Sequence, residues 1–173
     1  MGAREFPYSG PMGAHPSRKI SVILERHAVQ SRWETHRWLL AGVAPDEAGE
    51  ARVVAEDEAL LRRLHPGIEL ALFHGEAEGY YLNATSDEPS VFVALRTDEA
   101  SGEPYPYQAT LSYNEAARWM DASERVERVP AWAELARWLG AWVEANYRPE
   151  PKERRKPRSF AGKEGRLRKE GSQ

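Results

Sequence analysis

The chain has 173 residues, a formal charge of −3 and no cysteine, which suits one domain of ordinary size and excludes disulfides, thiolate zinc, iron–sulfur ligation and cysteine nucleophiles. Of its 24 basic and 27 acidic residues, ten and four lie in Arg148–Gln173, so this end is net +6 and the remainder net −9. No run of about 18 apolar residues offers a membrane span, and Met1–Ser17 has no apolar stretch behind a basic end, so it does not read as a signal peptide and a cytoplasmic protein is expected.

In chain order, residues 1–17 carry three Pro and three Gly among scattered polar groups and read as a disordered segment. Ile20, Val22 and Leu24 alternate with Ser21, Ile23 and Glu25, the pattern of a strand. Trp33 to Val43 reads as a second strand closed by Gly42 and Pro45, with a bulge between Trp33 and Trp38 because they differ in parity. In the acidic stretch Asp46–Pro66, Ala59, Leu60, Leu61 and Leu64 suggest a short helical turn before the His65-Pro66-Gly67 break.

A meander is expected next. Ile68, Leu70 and Leu72 share a face, His74–Gly79 forms a hairpin connection, and Tyr80, Leu82 and Ala84 return. After a turn at Ser86–Pro89, Val91, Val93 and Leu95 continue, and Tyr107–Leu111 follows a long polar turn.

Ser112-Tyr113-Asn114-Glu115 fits a capping box, in which hydroxyl and carboxylate satisfy each other's backbone amides, ahead of a helix Tyr113–Asp121. Val126 and Val129 suggest a brief strand, and Pro130 suits the first turn of a helix. That helix, Ala131–Tyr147, carries Trp132, Leu135, Ala136, Leu139, Val143 and Tyr147 on one stripe, with Trp138 and Trp142 on its flank. Pro149 and Pro151 end it.

The pattern predicts an α+β fold with a mainly antiparallel curved sheet or partial barrel of six or seven strands. Two helices cover it, the long C-terminal one sealing the open side. Residues 18–147 form the single globular domain, and residues 148–173 form a basic disordered tail.

Few constellations carry chemistry. His74, Glu76 and Glu78 would share a face on a continuous strand and could hold a metal, but the segment reads as a turn, where spaced acids are solvated. His27 and His36 could meet across the first hairpin, with no third ligand near. No nucleophile elbow is present. Asn83, Thr85, Ser86 and Asp87 suit side-chain-to-backbone bonds that fix a turn. No cofactor and no catalytic residue is expected. Trp138 and Trp142 either complete the core or anchor a partner. The cluster Arg154, Arg155, Lys156 and Arg158 offers an acidic partner, nucleic acid or the acidic body a cationic ribbon, with only Phe160 for stacking.

The stretches Ile20–Arg26, Trp33–Trp38, Glu78–Ser86, Pro89–Arg96 and Glu144–Tyr147, followed by Pro149, Pro151 and the basic tail, resemble an uncharacterised proteobacterial domain of unknown function. Members are commonly encoded beside formate dehydrogenase and molybdoenzyme-maturation genes, and some are labelled molybdopterin-guanine dinucleotide biosynthesis proteins. The resemblance implies a non-catalytic accessory protein that assists assembly of a molybdenum-dependent formate dehydrogenase by binding a subunit or maturation factor. Molybdopterin-guanine dinucleotide binding or biosynthesis is one alternative, although the first strand leads into Arg26-His27-Ala28-Val29-Gln30 without a glycine-rich loop to cradle phosphate. A nucleic-acid-binding regulator acting through the tail is the other.

Overall fold

The computed structural model describes residues 15–151. Alternation sets its first element: in β1 (Ser17–Ala28), Ile20, Val22 and Leu24 point inward and are fully buried. β1 is flanked by β2 (His36–Pro45) and β4 (Leu60–Ala71), both antiparallel, and β3 (Arg52–Glu56) pairs with β4. The order is β2-β1-β4-β3. A second antiparallel sheet has β5 (Ser90–Thr97) between β6 (Pro104–Thr110) and β7 (Arg125–Pro130).

The expected single curved sheet is therefore two sheets among the described residues, which close no barrel. β4 runs beside β6 and β2 beside β7 without a shared ladder. One cause is local: Pro104 and Pro106 remove two amide donors from β6, so the ladder cannot continue there. Side chains bridge both margins. Arg63 Nη1 donates to Glu103 at 2.6 Å, and Arg125 Nη2 to the Trp38 carbonyl at 2.9 Å.

The expected strand from Trp33 begins at His36; Trp33 lies before it and is 88% exposed. The bulge falls at Ala41, since Ile23 faces Gly42 and Leu24 faces Leu40. No helical turn forms at Ala59–Leu64. Asp57 Oδ1 accepts from the Ala59 and Leu60 amides at 2.8 and 2.9 Å, turning β3 back into β4. β4 then passes through Pro66-Gly67 as a bulge opposite Ser21. Gly67 takes φ 78°, and Asp46 Oδ1 accepts its amide at 2.8 Å.

The predicted hairpin at His74–Gly79 is a correction too. A 3₁₀ turn, His74–Glu76, leads into a helix, α1 (Ala77–Ala84), so the described residues form three α-helices rather than two. α2 (Tyr113–Asp121) has the expected bounds, and Ser112 Oγ accepts from the Glu115 amide at 3.1 Å. α3 (Ala133–Asn146) starts two residues later than expected, and Pro130 ends β7 instead of opening the helix. Leu135, Leu139 and Val143 of α3 join Ile20, Leu70, Leu72, Val91 and Val93 in one core, so α3 shares its core with both sheets. Trp132 is only half-buried at its margin.

Candidate functional site

The bulge at Pro66-Gly67 separates two halves of β4. β3 pairs only with Leu61–Leu64, so on that side Ile68–Ala71 has no strand partner among the described residues. The outer edge of β6 is also unpaired among the described residues. Past Pro104 and Pro106 its amides return at Tyr107, which is itself a bulge residue between Pro106 and Gln108. These two open stretches border one groove of about 410 Å³. Ile68 and Glu69 line it from β4, Phe73 from the chain beyond, Tyr107 from β6, and Glu115 and Trp119 from α2.

Tyr80 fixes the end of this groove. Its buried hydroxyl donates to the Ala71 carbonyl at 3.2 Å and accepts from the Phe73 amide at 3.1 Å. Burial pushes its phenol up to about 12, so it holds the donor form. Phe73 is thereby held outward, 39% exposed, with the His15 ring 4.3 Å from its own. Tyr107 is 46% exposed, with the Arg96 guanidinium 3.4 Å over its ring. Arg96 Nη2 in turn donates to Glu124 Oε1 at 2.7 Å, and this hydrogen bond holds the Glu124 carboxyl below its ordinary range.

Beneath α2 lies a satisfied polar knot. Ser112 Oγ donates to Glu76 Oε2 at 2.6 Å, and Arg118 donates to the other Glu76 oxygen. Glu115 does not reach back to the Ser112 amide as a capping box requires. Its carboxylate accepts from Thr110 Oγ1 at 2.5 Å, and Thr110 Oγ1 accepts from the Ser112 amide at 3.0 Å. The box closes through Thr110.

The residues singled out in the sequence do not gather at one place. Asn83 lies inside α1, fully buried, rather than in a turn. Its Nδ2 donates to the carbonyls of Ser90 and Leu111 at 2.7 and 2.9 Å, and its Oδ1 accepts from the Ser90 amide at 2.9 Å. Thr85 Oγ1 donates to the Tyr81 carbonyl and Ser86 Oγ to that of Asn83, both at 2.7 Å. Asp87 is exposed. Trp138 packs on the core under the Arg18 guanidinium at 5.0 Å, and Trp142 meets Tyr80 edge-on at 5.3 Å. Arg154, Arg155, Lys156 and Arg158 lie outside the described residues.

His74, Glu76 and Glu78 are divided by the helix: His74 faces Trp142, Glu76 the α2 knot, and Glu78 is exposed. Among the described residues no three His, Asp or Glu are grouped to hold a metal. His27 and His36 are out of register, His27 opposite Arg37 and His36 opposite Ala28. His27 Nε2 instead lies 2.9 Å from Glu25 Oε2, whose carboxyl is held below its usual range chiefly by its hydrogen bonds from Arg62. Sequence reasoning missed the groove residues Ile68, Phe73, Tyr107 and Trp119. One signal was available: alternate prolines around Tyr105 in a strand mark an edge.

Among the described residues the fold and groove define an α+β domain of two antiparallel sheets sharing a core with the helix α3, with a recess between unpaired strand edges. Residues 19–156 match the family model described as "Protein of unknown function (DUF3305)", and the chain belongs to that family. No curated protein and no solved structure matches it.

Proposed function

We propose that this protein is a non-catalytic accessory protein that binds a protein partner through the β4–β6 groove. The carrying observation is that two unpaired strand edges and three aromatic side chains converge on that one recess. Open edges invite association and are normally blunted or covered, and exposed aromatic groups are favoured anchors at interfaces. Trp138 and Trp142, expected either to complete the core or to anchor a partner, are partly buried against the core, and the groove is a further candidate contact surface. The finer reading, assistance to a molybdenum-dependent formate dehydrogenase, is supported by the family resemblance alone.

Affinity capture from a native bacterial lysate tests both levels. The wild-type chain is expected to retain a formate dehydrogenase subunit or maturation factor, identified by mass spectrometry, and the Phe73→Ala/Tyr107→Ala double variant to lose it. Recovery of no molybdoenzyme component sinks the finer reading. A partner held equally well by the double variant sinks the groove.

A further inference from the structure

We infer that the groove takes an extended segment of the partner, about four to six residues long, carrying cationic and apolar side chains and adding to the open β6 edge as a strand. This rests on the partner-binding reading and specifies its ligand.

The backbone sets the mode and the length. Pairing with β3 occupies β4 at Leu61–Leu64, and Pro66 has no amide to offer. On β6 the prolines at 104 and 106 block the other half. What stays open among the described residues is the β6 edge at Tyr107–Thr110, roughly 13 Å of strand, since on β4 the Ala71 carbonyl and the Phe73 amide beyond it are already bonded to Tyr80. An added strand satisfies those amides and carbonyls, its backbone supplying affinity and its alternate side chains selectivity.

The side chains set the chemistry. Phe73, Tyr107 and Trp119 give the recess apolar walls. The cations beside it are already engaged, Arg118 by Glu76 and Arg96 by Glu124. Two lining carboxylates, Glu69 and Glu115, form no ion pair among the described residues, although Lys19 stands opposite Glu69 in the β1–β4 register. Unbalanced acid in the recess, on a body of net −9, selects a cationic ligand and repels an anionic one.

The test uses two fluorescein-labelled octapeptides, one alternating lysine and valine, the other glutamate and valine, titrated against the full chain by fluorescence anisotropy. The lysine peptide is expected to bind at least about tenfold tighter, since two like charges are repelled in the other. Glu69→Lys with Glu115→Gln is expected to erase that preference, far-ultraviolet dichroism confirming that the variant folds. Strand addition has its own readout. Two lysine peptides are N-methylated on opposite sets of alternate amides; one should lose binding and the other keep it, because only one set faces the edge. Equal binding by both isomers overturns strand addition, and no preference between the charged peptides overturns the cationic ligand. If neither octapeptide binds while the lysate partner is still lost with Phe73→Ala/Tyr107→Ala, the partner docks as a folded surface. The segment inference then falls and the accessory reading stands.

Discussion

At the scale of single residues, two glycines on helices have opposite meanings. A Cβ on Gly79 would sit 2.0 Å from Ser112 Oγ and 3.1 Å from the Asn114 amide nitrogen, where α1 crosses the start of α2. Gly79→Ala must push the helices apart and is expected to cost about 3 kcal/mol, read as a lower urea midpoint. A Cβ on Gly140, inside α3, meets nothing within 4 Å, so Gly140→Ala is expected to stabilise by about 0.5–1 kcal/mol through helix propensity. The same substitution with the same sign at both sites would refute this account of the junction. Asn83 is the polar counterpart. Asn83→Leu strands the Ser90 amide and two carbonyls, and a loss of about 3 kcal/mol or more is expected. His65 makes the fold acid-sensitive: burial first, then Arg63, pulls it down from 6.5 to about 4, and its Nε2 is buried without a partner. Between those values the unfolded chain binds a proton that the folded one refuses, so stability is full above 6.5 and declines as pH falls toward 4. His65→Leu should flatten the slope of unfolding free energy against pH in that window. Parallel slopes would exclude His65 as its source.

Among the elements, those that repeat one pattern were legible. β1 alternates, α2 announces its cap, and α3 carries an apolar stripe, so each was placed within a few residues. α1 was not legible because Tyr80, Leu82 and Ala84 alternate like a strand, while its buried face consists of Ala77, Gly79, Tyr80 and Asn83, one polar and two small. Its helicity comes from tertiary fit, since eight residues alone would not hold a helix in water. β4 was misread for a different reason: Pro-Gly usually breaks a strand, and here it marks a bulge that Asp46 ties down from outside the sheet. The groove was hidden because it exists only where β4 and β6, far apart in sequence, come side by side. The α1–α2 junction gives the element-scale prediction. Ser112→Ala removes the cap of α2 and the hydroxyl that Glu76 accepts from, and should cost about 1–2 kcal/mol. In that background Gly79→Ala should cost less than in the wild type, because the nearest clashing atom is gone. Strict additivity in the double-mutant cycle would mean that the two helices do not press on each other there.

For the whole molecule, the separation of the strands into two sheets raises a question about cooperativity. No ladder joins them among the described residues, and a chain with two unlinked sheets could melt in two steps. The buried cluster argues otherwise: Leu24 and Leu70 of one sheet, Val91 and Val93 of the other, and Leu135 and Leu139 of α3 belong to a single core. α3 contributes to that same core, and Arg63–Glu103 and Arg125–Trp38 pin the margins. Its removal would open the whole core to water, so α3 is the element that makes the two sheets one unit. Leu24→Ala, Val93→Ala and Leu139→Ala are therefore each expected to lower one common urea transition, by about 2–4 kcal/mol for the leucines and less for the valine. Tryptophan fluorescence and far-ultraviolet dichroism should trace the same curve in every variant. If Val93→Ala instead splits the transition, leaving a phase that Leu24→Ala alone displaces, the sheets fold separately. The groove between them would then be a cleft between two units that move apart, rather than a fixed recess able to hold a strand.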